Sequence, residues 1–121
     1  MDKFELENRL IDFAVLIIEI TDSLPDTKAA NHLSGQIIRS GTSPALNYGE
    51  AQSAESPRDF IHKIKIILKE LRETHICLKI ISKTKLYKIN SKIDLALSEN
   101  NELISIFVSS AKTAEKNKKK H

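Results

Sequence analysis

Apolar residues recur along this chain in steps of three and four, the spacing that places side chains on one face of an α-helix. Leu6, Leu10, Phe13, Ile17, Ile20 and Leu24 form the first such series and predict a helix from about Phe4 to Ser23, ended by Pro25. Ile11, Val15 and Ile18 are expected to widen its core face. Phe60, Ile64, Ile67, Leu71, Thr74, Leu78 and Ile81, widened by Ile61 and Leu68, predict a second long helix. Its start is marked by Ser56, Pro57 and Asp59, a serine cap with proline at the first helical position and an acid three residues after the cap. Residues 82–91 read as a connection with a short turn at Leu86 and Tyr87. Ile93, Leu97, Asn100, Ile104, Phe107, Ala111 and Ala114 then predict a last helix that frays into a lysine-rich end.

Between the first two series the pattern inverts. Gln36, Ser40, Ser43, Asn47 and Glu50 put polar groups at the three- and four-residue spacings where an apolar stripe belongs, with Arg39 on their flank. Asp26 or Thr27 can cap this segment. Pro44 removes an amide and clashes with the carbonyl four residues earlier, so one helix from about Thr27 to Ala54, kinked near Pro44, is favoured over two short helices split at 41–44. The hydroxyls of Thr42 and Ser43 are expected to serve the freed backbone groups. The polar seam has two readings, a hydrogen-bonded network that sets helix register or the lining of a groove or pore. Arg39 is expected to pair with Glu70 or Glu73. Four amphipathic helices on short connections predict an all-α, antiparallel up-down-up-down four-helix bundle over residues 1–115, followed by a basic tail at 116–121.

The central residues also resemble a known family. Gln36-Ile37-Ile38-Arg39-Ser40-Gly41-Thr42-Ser43, then Asn47, Glu50 and Ala51, then Asp59-Phe60-Ile61-His62-Lys63-Ile64 and Lys69-Glu70-Leu71-Arg72-Glu73-Thr74, resemble the small four-helix-bundle proteins encoded in intervening sequences of bacterial 23S ribosomal RNA genes. The resemblance implies an assembling, nucleic-acid-associated protein. Relatives that serve retroelements form pentameric barrels and bind nucleic acid and a reverse transcriptase, so the number five comes from the resemblance alone.

Composition narrows the class. A chain of 121 residues, 40% hydrophobic, with three Gly and three Pro, suits one compact helical domain. Its lone cysteine, Cys77, sits in a helical pattern and reads as a packed thiol. The longest apolar run, Phe13 to Ile18, is far below the ~20 residues that span a bilayer, and acids precede it, so no membrane segment or signal peptide is expected and the location is read as cytoplasmic. The formal charge of +3 is uneven: residues 112–121 hold five Lys and one Glu, leaving 14 basic against 15 acidic residues elsewhere.

Arg58, Lys65, Lys69, Arg72, Lys79 and Lys83, with His62, fall on the side of the third helix opposite its apolar series. Ile66, Ile76 and Ile80 lie in or beside this stripe and are read as oligomer contacts. Asp59 and His62 form the one acid-x-x-His pair, too little for a bundle metal site, so no metal and no cofactor are expected. Nor does any serine or cysteine stand in a nucleophile motif, so no enzyme is expected. With no Trp and two Tyr, the stripe lacks stacking residues and would contact phosphates, with poor sequence specificity. The expected function is a non-enzymatic homo-oligomer, pentameric if the resemblance holds, that binds RNA or DNA through this basic surface. The alternative is a scaffold for a protein partner such as a nucleic-acid enzyme.

Overall fold

A computed structural model describes residues 1–87 and 90–119 as four helices, α1 (Lys3–Asp22), α2 (Lys28–Ala51), α3 (Pro57–Thr84) and α4 (Asn90–Lys119). Each helix packs against its sequence neighbours, and α1 closes the ring against α4 through the sparsest of the four contacts. The result is an all-α four-helix bundle, whose short loops force antiparallel neighbours.

The helix starts are written in local chemistry. Asp2 Oδ1 accepts from the Glu5 amide at 2.9 Å, Thr27 Oγ1 from the Ala30 amide at 3.1 Å, and Ser56 Oγ from the Asp59 amide at 3.1 Å. Each satisfies an amide that has no partner within its helix. Of the two candidate caps for α2, Thr27 holds the position, while Asp26 Oδ1 accepts from the Asn31 side chain at 2.9 Å. α3 ends on Lys85, whose φ of 58° is left-handed.

The core follows the expected stripes with informative departures. Leu10, Phe13, Ile17 and Ile20 of α1, Ile37 of α2, Ile64, Ile67, Leu71, Leu78 and Ile81 of α3, and Ile93 and Phe107 of α4 are fully buried. Each is worth about 1.5–3 kcal/mol of apolar burial. Tyr48 and Phe107 meet edge to face across the bundle, 5.7 Å between ring centres. On α4 the buried series is Ile93, Ala96, Asn100, Leu103 and Phe107, whereas Leu97, Ile104, Ala111 and Ala114 are only half-buried. The expected stripe was therefore displaced toward one edge, because Ala96 and Leu103, not Leu97 and Ile104, face the other three helices. Tyr87, read as part of a turn, is 3% exposed and belongs to the core.

Three further expectations are corrected. Ile11, Val15 and Ile18 do not widen the core face of α1; they are 46%, 48% and 41% exposed, since four helices in a ring cover only part of each circumference. By contrast, α2 runs unbroken through the buried Pro44, the single helix that was favoured over two short ones split at 41–44. The Thr42 hydroxyl donates to the Ile38 carbonyl at 2.7 Å and Ser43 Oγ accepts from Asn47, so neither serves the Ser40 carbonyl that Pro44 cannot reach. Finally, α4 does not fray into the lysine-rich end but stays helical to Lys119. Lys120 and His121 of the expected tail lie outside the described residues.

Candidate functional site

Pairing α3 with α4 decides where the cations go. Arg58, His62, Lys65, Lys69, Arg72, Lys79 and Lys83 are all exposed along α3. From Arg58 to Lys83 the stripe spans about 38 Å at ~1.5 Å per residue. Because α4 runs antiparallel to α3, its lysine-rich last turns return beside the first turns of α3. There Arg58, Ile61, His62, Lys65, Glu115 and Lys118 line a surface cleft of about 210 Å³. Two basic features far apart in sequence thus form one surface.

Not all of this charge is free. Lys65 Nζ lies 3.1 Å from Glu115 Oε1, and the neighbouring Lys63 pairs with Glu50 of α2 at 2.9 Å. The Lys65 hydrogen bond and charge, with smaller contributions from Lys118 and Lys119, hold the Glu115 carboxyl below its ordinary pKa. Among the described residues, Arg58, Lys69, Arg72, Lys79 and Lys83 make no ion pair.

The expected polar seam does lie along the boundary of α2 and α3, but in separate pieces. Arg39 Nη1 donates to Glu70 Oε2 at 2.7 Å, and Nη2 pairs with Glu73 and reaches Gln36 Oε1 at 3.4 Å. The expected charge pair is therefore a clamp on both acids. Ser40 Oγ and Thr74 Oγ1 share a buried hydrogen bond of 2.8 Å. Asn47 Nδ2 donates to the Ser43 hydroxyl at 2.8 Å, within α2, and Glu50 reaches Lys63. A single continuous network is not formed, because Ser40 alone among the α2 seam residues Gln36, Ser40, Ser43, Asn47 and Glu50 is buried and the others are exposed or bond to separate partners.

Of the three isoleucines read as oligomer contacts, Ile76 and Ile80 are 56% and 41% exposed. Ile66 is half-buried, on the side of α3 that also carries Glu70 and Glu73 toward α2, so it is a poorer contact residue. Sequence reading missed a larger apolar surface. Phe4, Ile11, Val15 and Ile18 form an exposed stripe on the outside of α1, and Ile38 and Leu46 of α2 are 40% and 70% exposed. The signal was present in the four- and three-residue spacing of Ile11, Val15 and Ile18, which also fits the edge of a core face.

Neither the metal nor the nucleophile question gains a candidate. Among the described residues no group of three His, Cys, Asp or Glu side chains is placed to hold a metal ion. Cys77 is buried, and desolvation first, then the Glu73 charge, pushes its thiol pKa up, which is the opposite of activation. No helix among the described residues is long and apolar enough to cross a membrane.

Comparison with known proteins gives two matches of consequence. The family model described as 23S rRNA-intervening sequence protein matches residues 2–109. A crystal structure of a protein with unknown function from the S23 ribosomal protein family of Bacteroides thetaiotaomicron VPI-5482 is 31% identical, with a TM-score of 0.81 over 88% of this chain and 98% of that one. Comparison with curated proteins gives no match.

Proposed function

Because the chain belongs to the 23S rRNA-intervening sequence protein family, matched over residues 2–109, we propose that it is a non-enzymatic, self-associating helical bundle that binds RNA or DNA through the basic face of α3. The observation that carries this reading is the continuity of charge. Five α3 cations, Arg58, Lys69, Arg72, Lys79 and Lys83, without ion pairs among the described residues, face solvent together, and the α4 lysines extend them at one end. Cations at this spacing suit a phosphate backbone and carry no information about base sequence. The exposed apolar stripes of α1, α2 and α3 supply contact surface for a homo-oligomer, with five copies the number the resemblance implies. A cytoplasmic location belongs to the same reading.

Neutralising about five phosphates makes log affinity fall with log salt at a slope of roughly −3 to −5. Filter binding with unrelated RNAs and DNAs across a salt series tests this. Replacing Lys69, Arg72 and Lys79 by Glu is expected to weaken binding to all of them alike and to flatten the slope. A folded triple variant with unchanged affinity and slope would instead favour the second reading, a scaffold for a protein partner. Ile76 and Ile80, exposed within the stripe, are the observation behind that alternative.

A further inference from the structure

We propose that the cleft between the first turns of α3 and the last turns of α4 is a phosphate seat, occupied in the free protein by the carboxylate of Glu115, which a phosphate of the bound nucleic acid displaces. The proposal rests on the nucleic-acid reading and adds to it a defined site and an internal competitor.

The geometry brings Arg58 and Lys65 of α3 and Lys118 of α4 around one acidic group. Glu115 Oε1 sits 3.1 Å from Lys65 Nζ, and Lys118 and Lys119 also act on its carboxyl through their charge. Glu115 thus marks, with its own oxygens, the position that the surrounding cations favour for an anion. The pair is weakly held: the Lys65 and Glu115 side chains are 62% and 39% exposed, and exposed pairs of this kind are largely offset by side-chain entropy and screening. A phosphate is the stronger occupant. It presents more acceptor oxygens than a carboxylate and can engage Arg58, Lys65 and Lys118 together, with the Arg58 fork matched to two of its oxygens. The cleft's roughly 210 Å³ leaves room for it, given ~30 Å³ for each water displaced. Buried Ile61 forms an apolar floor that concentrates the field of the cations above it. Lys69 and Arg72 continue from this cleft along α3, so a strand following them meets it.

The test compares Glu115→Gln with Glu102→Gln. Both remove one negative charge from α4, but Glu102 pairs with Arg9 of α1, outside the cleft. Binding is measured by filter retention of one unstructured RNA carrying either a 5′-monophosphate or a 5′-hydroxyl, and by amide chemical shifts on titration with inorganic phosphate. Glu115→Gln is expected to raise RNA affinity about five-fold at low salt, from removal of one close charge, and Glu102→Gln much less. Arg58→Ala with Lys118→Ala is expected to cancel the gain. A gain confined to the 5′-monophosphate RNA assigns the seat to a strand end, and an equal gain on both RNAs assigns it to a backbone phosphate. If Glu115→Gln and Glu102→Gln behave alike while Lys69, Arg72 and Lys79 variants still weaken binding, the seat is refuted and the nucleic-acid reading stands. If no RNA binds and phosphate leaves the amides of 58–65 and 115–119 unmoved, both fall. Phosphate shifts confined to those amides without RNA binding would overturn the nucleic-acid reading and, with it, displacement of Glu115 by a nucleic-acid phosphate, leaving a site for free phosphate only.

Discussion

Replacing Arg39 by Ala should destabilise the bundle by about 2 kcal/mol, a magnitude that follows from where its two acids sit. The Glu70 side chain is 9% exposed and that of Glu73 34%, while Arg39 itself is 52% exposed. Without Arg39, the Glu70 carboxylate stays in the α2–α3 seam with no cation. Breaking a fully buried pair costs ~3–5 kcal/mol, and losing a charge-assisted hydrogen bond ~1.5–3 kcal/mol. The half-solvated guanidinium places this site in the lower range. Glu73→Ala, by contrast, removes the more exposed contact and should cost under ~1 kcal/mol. Replacing Arg39 and Glu70 together by Met removes both the stranded charge and its partner, so this double variant should be markedly more stable than Arg39→Met alone. Urea unfolding followed by far-UV circular dichroism, at one fixed protein concentration because self-association couples to stability, measures all four. A thermal melt should show Arg39→Ala lower by roughly 6–12 °C. An Arg39→Ala midpoint equal to wild type, or a double Met variant no better than Arg39→Met, would refute the clamp.

Three other outcomes are expected. An added Cβ at Gly41 would stand 2.9 Å from both Cγ atoms of the fully buried Ile17, so Gly41→Ala should lose about 1–2 kcal/mol despite its better helix propensity. Gly35 has nothing within 4 Å of that position, and Gly35→Ala should gain up to ~1 kcal/mol, so equal urea midpoints for the two variants would contradict the close approach. Cys77 should resist alkylation in the native protein and react once urea unfolds it; because its folded thiol pKa is raised, the stability it contributes is complete below the ordinary value of 9.0 and is lost as pH rises from there toward the folded value, a loss that Cys77→Ala should abolish. Ile11→Lys combined with Val15→Glu should lower the mass seen by light scattering without lowering helicity, and an unchanged mass would remove α1's outer stripe from the self-association surface.

The sequence by itself determined the number and type of elements, because caps, breakers and three-four periodicity are local. Ser56 with Pro57 starts α3, one of the adjacent pair Asp26 and Thr27 starts α2, and the stripes through Phe13, Ile17, Ile64 and Leu71 are core in the folded chain. The Arg39 partnership with Glu70 and Glu73 was legible for the same reason, since opposed faces of adjacent helices in a hairpin are nearly forced to meet. Tertiary structure alone decided how wide each buried stripe is. Ile11, Val15 and Ile18 satisfy the helical pattern as well as Ile17 does, but two neighbours cover only part of α1, and which part depends on where α2 and α4 lie. It also decided that α4 buries Ala96 and Leu103 in preference to Leu97 and Ile104. The cleft that joins Arg58 and Lys65 to Glu115 and Lys118 could not be read from periodicity, because it depends on the length of α4 and its antiparallel return to the start of α3, and spacing within one helix carries no record of the helix beside it.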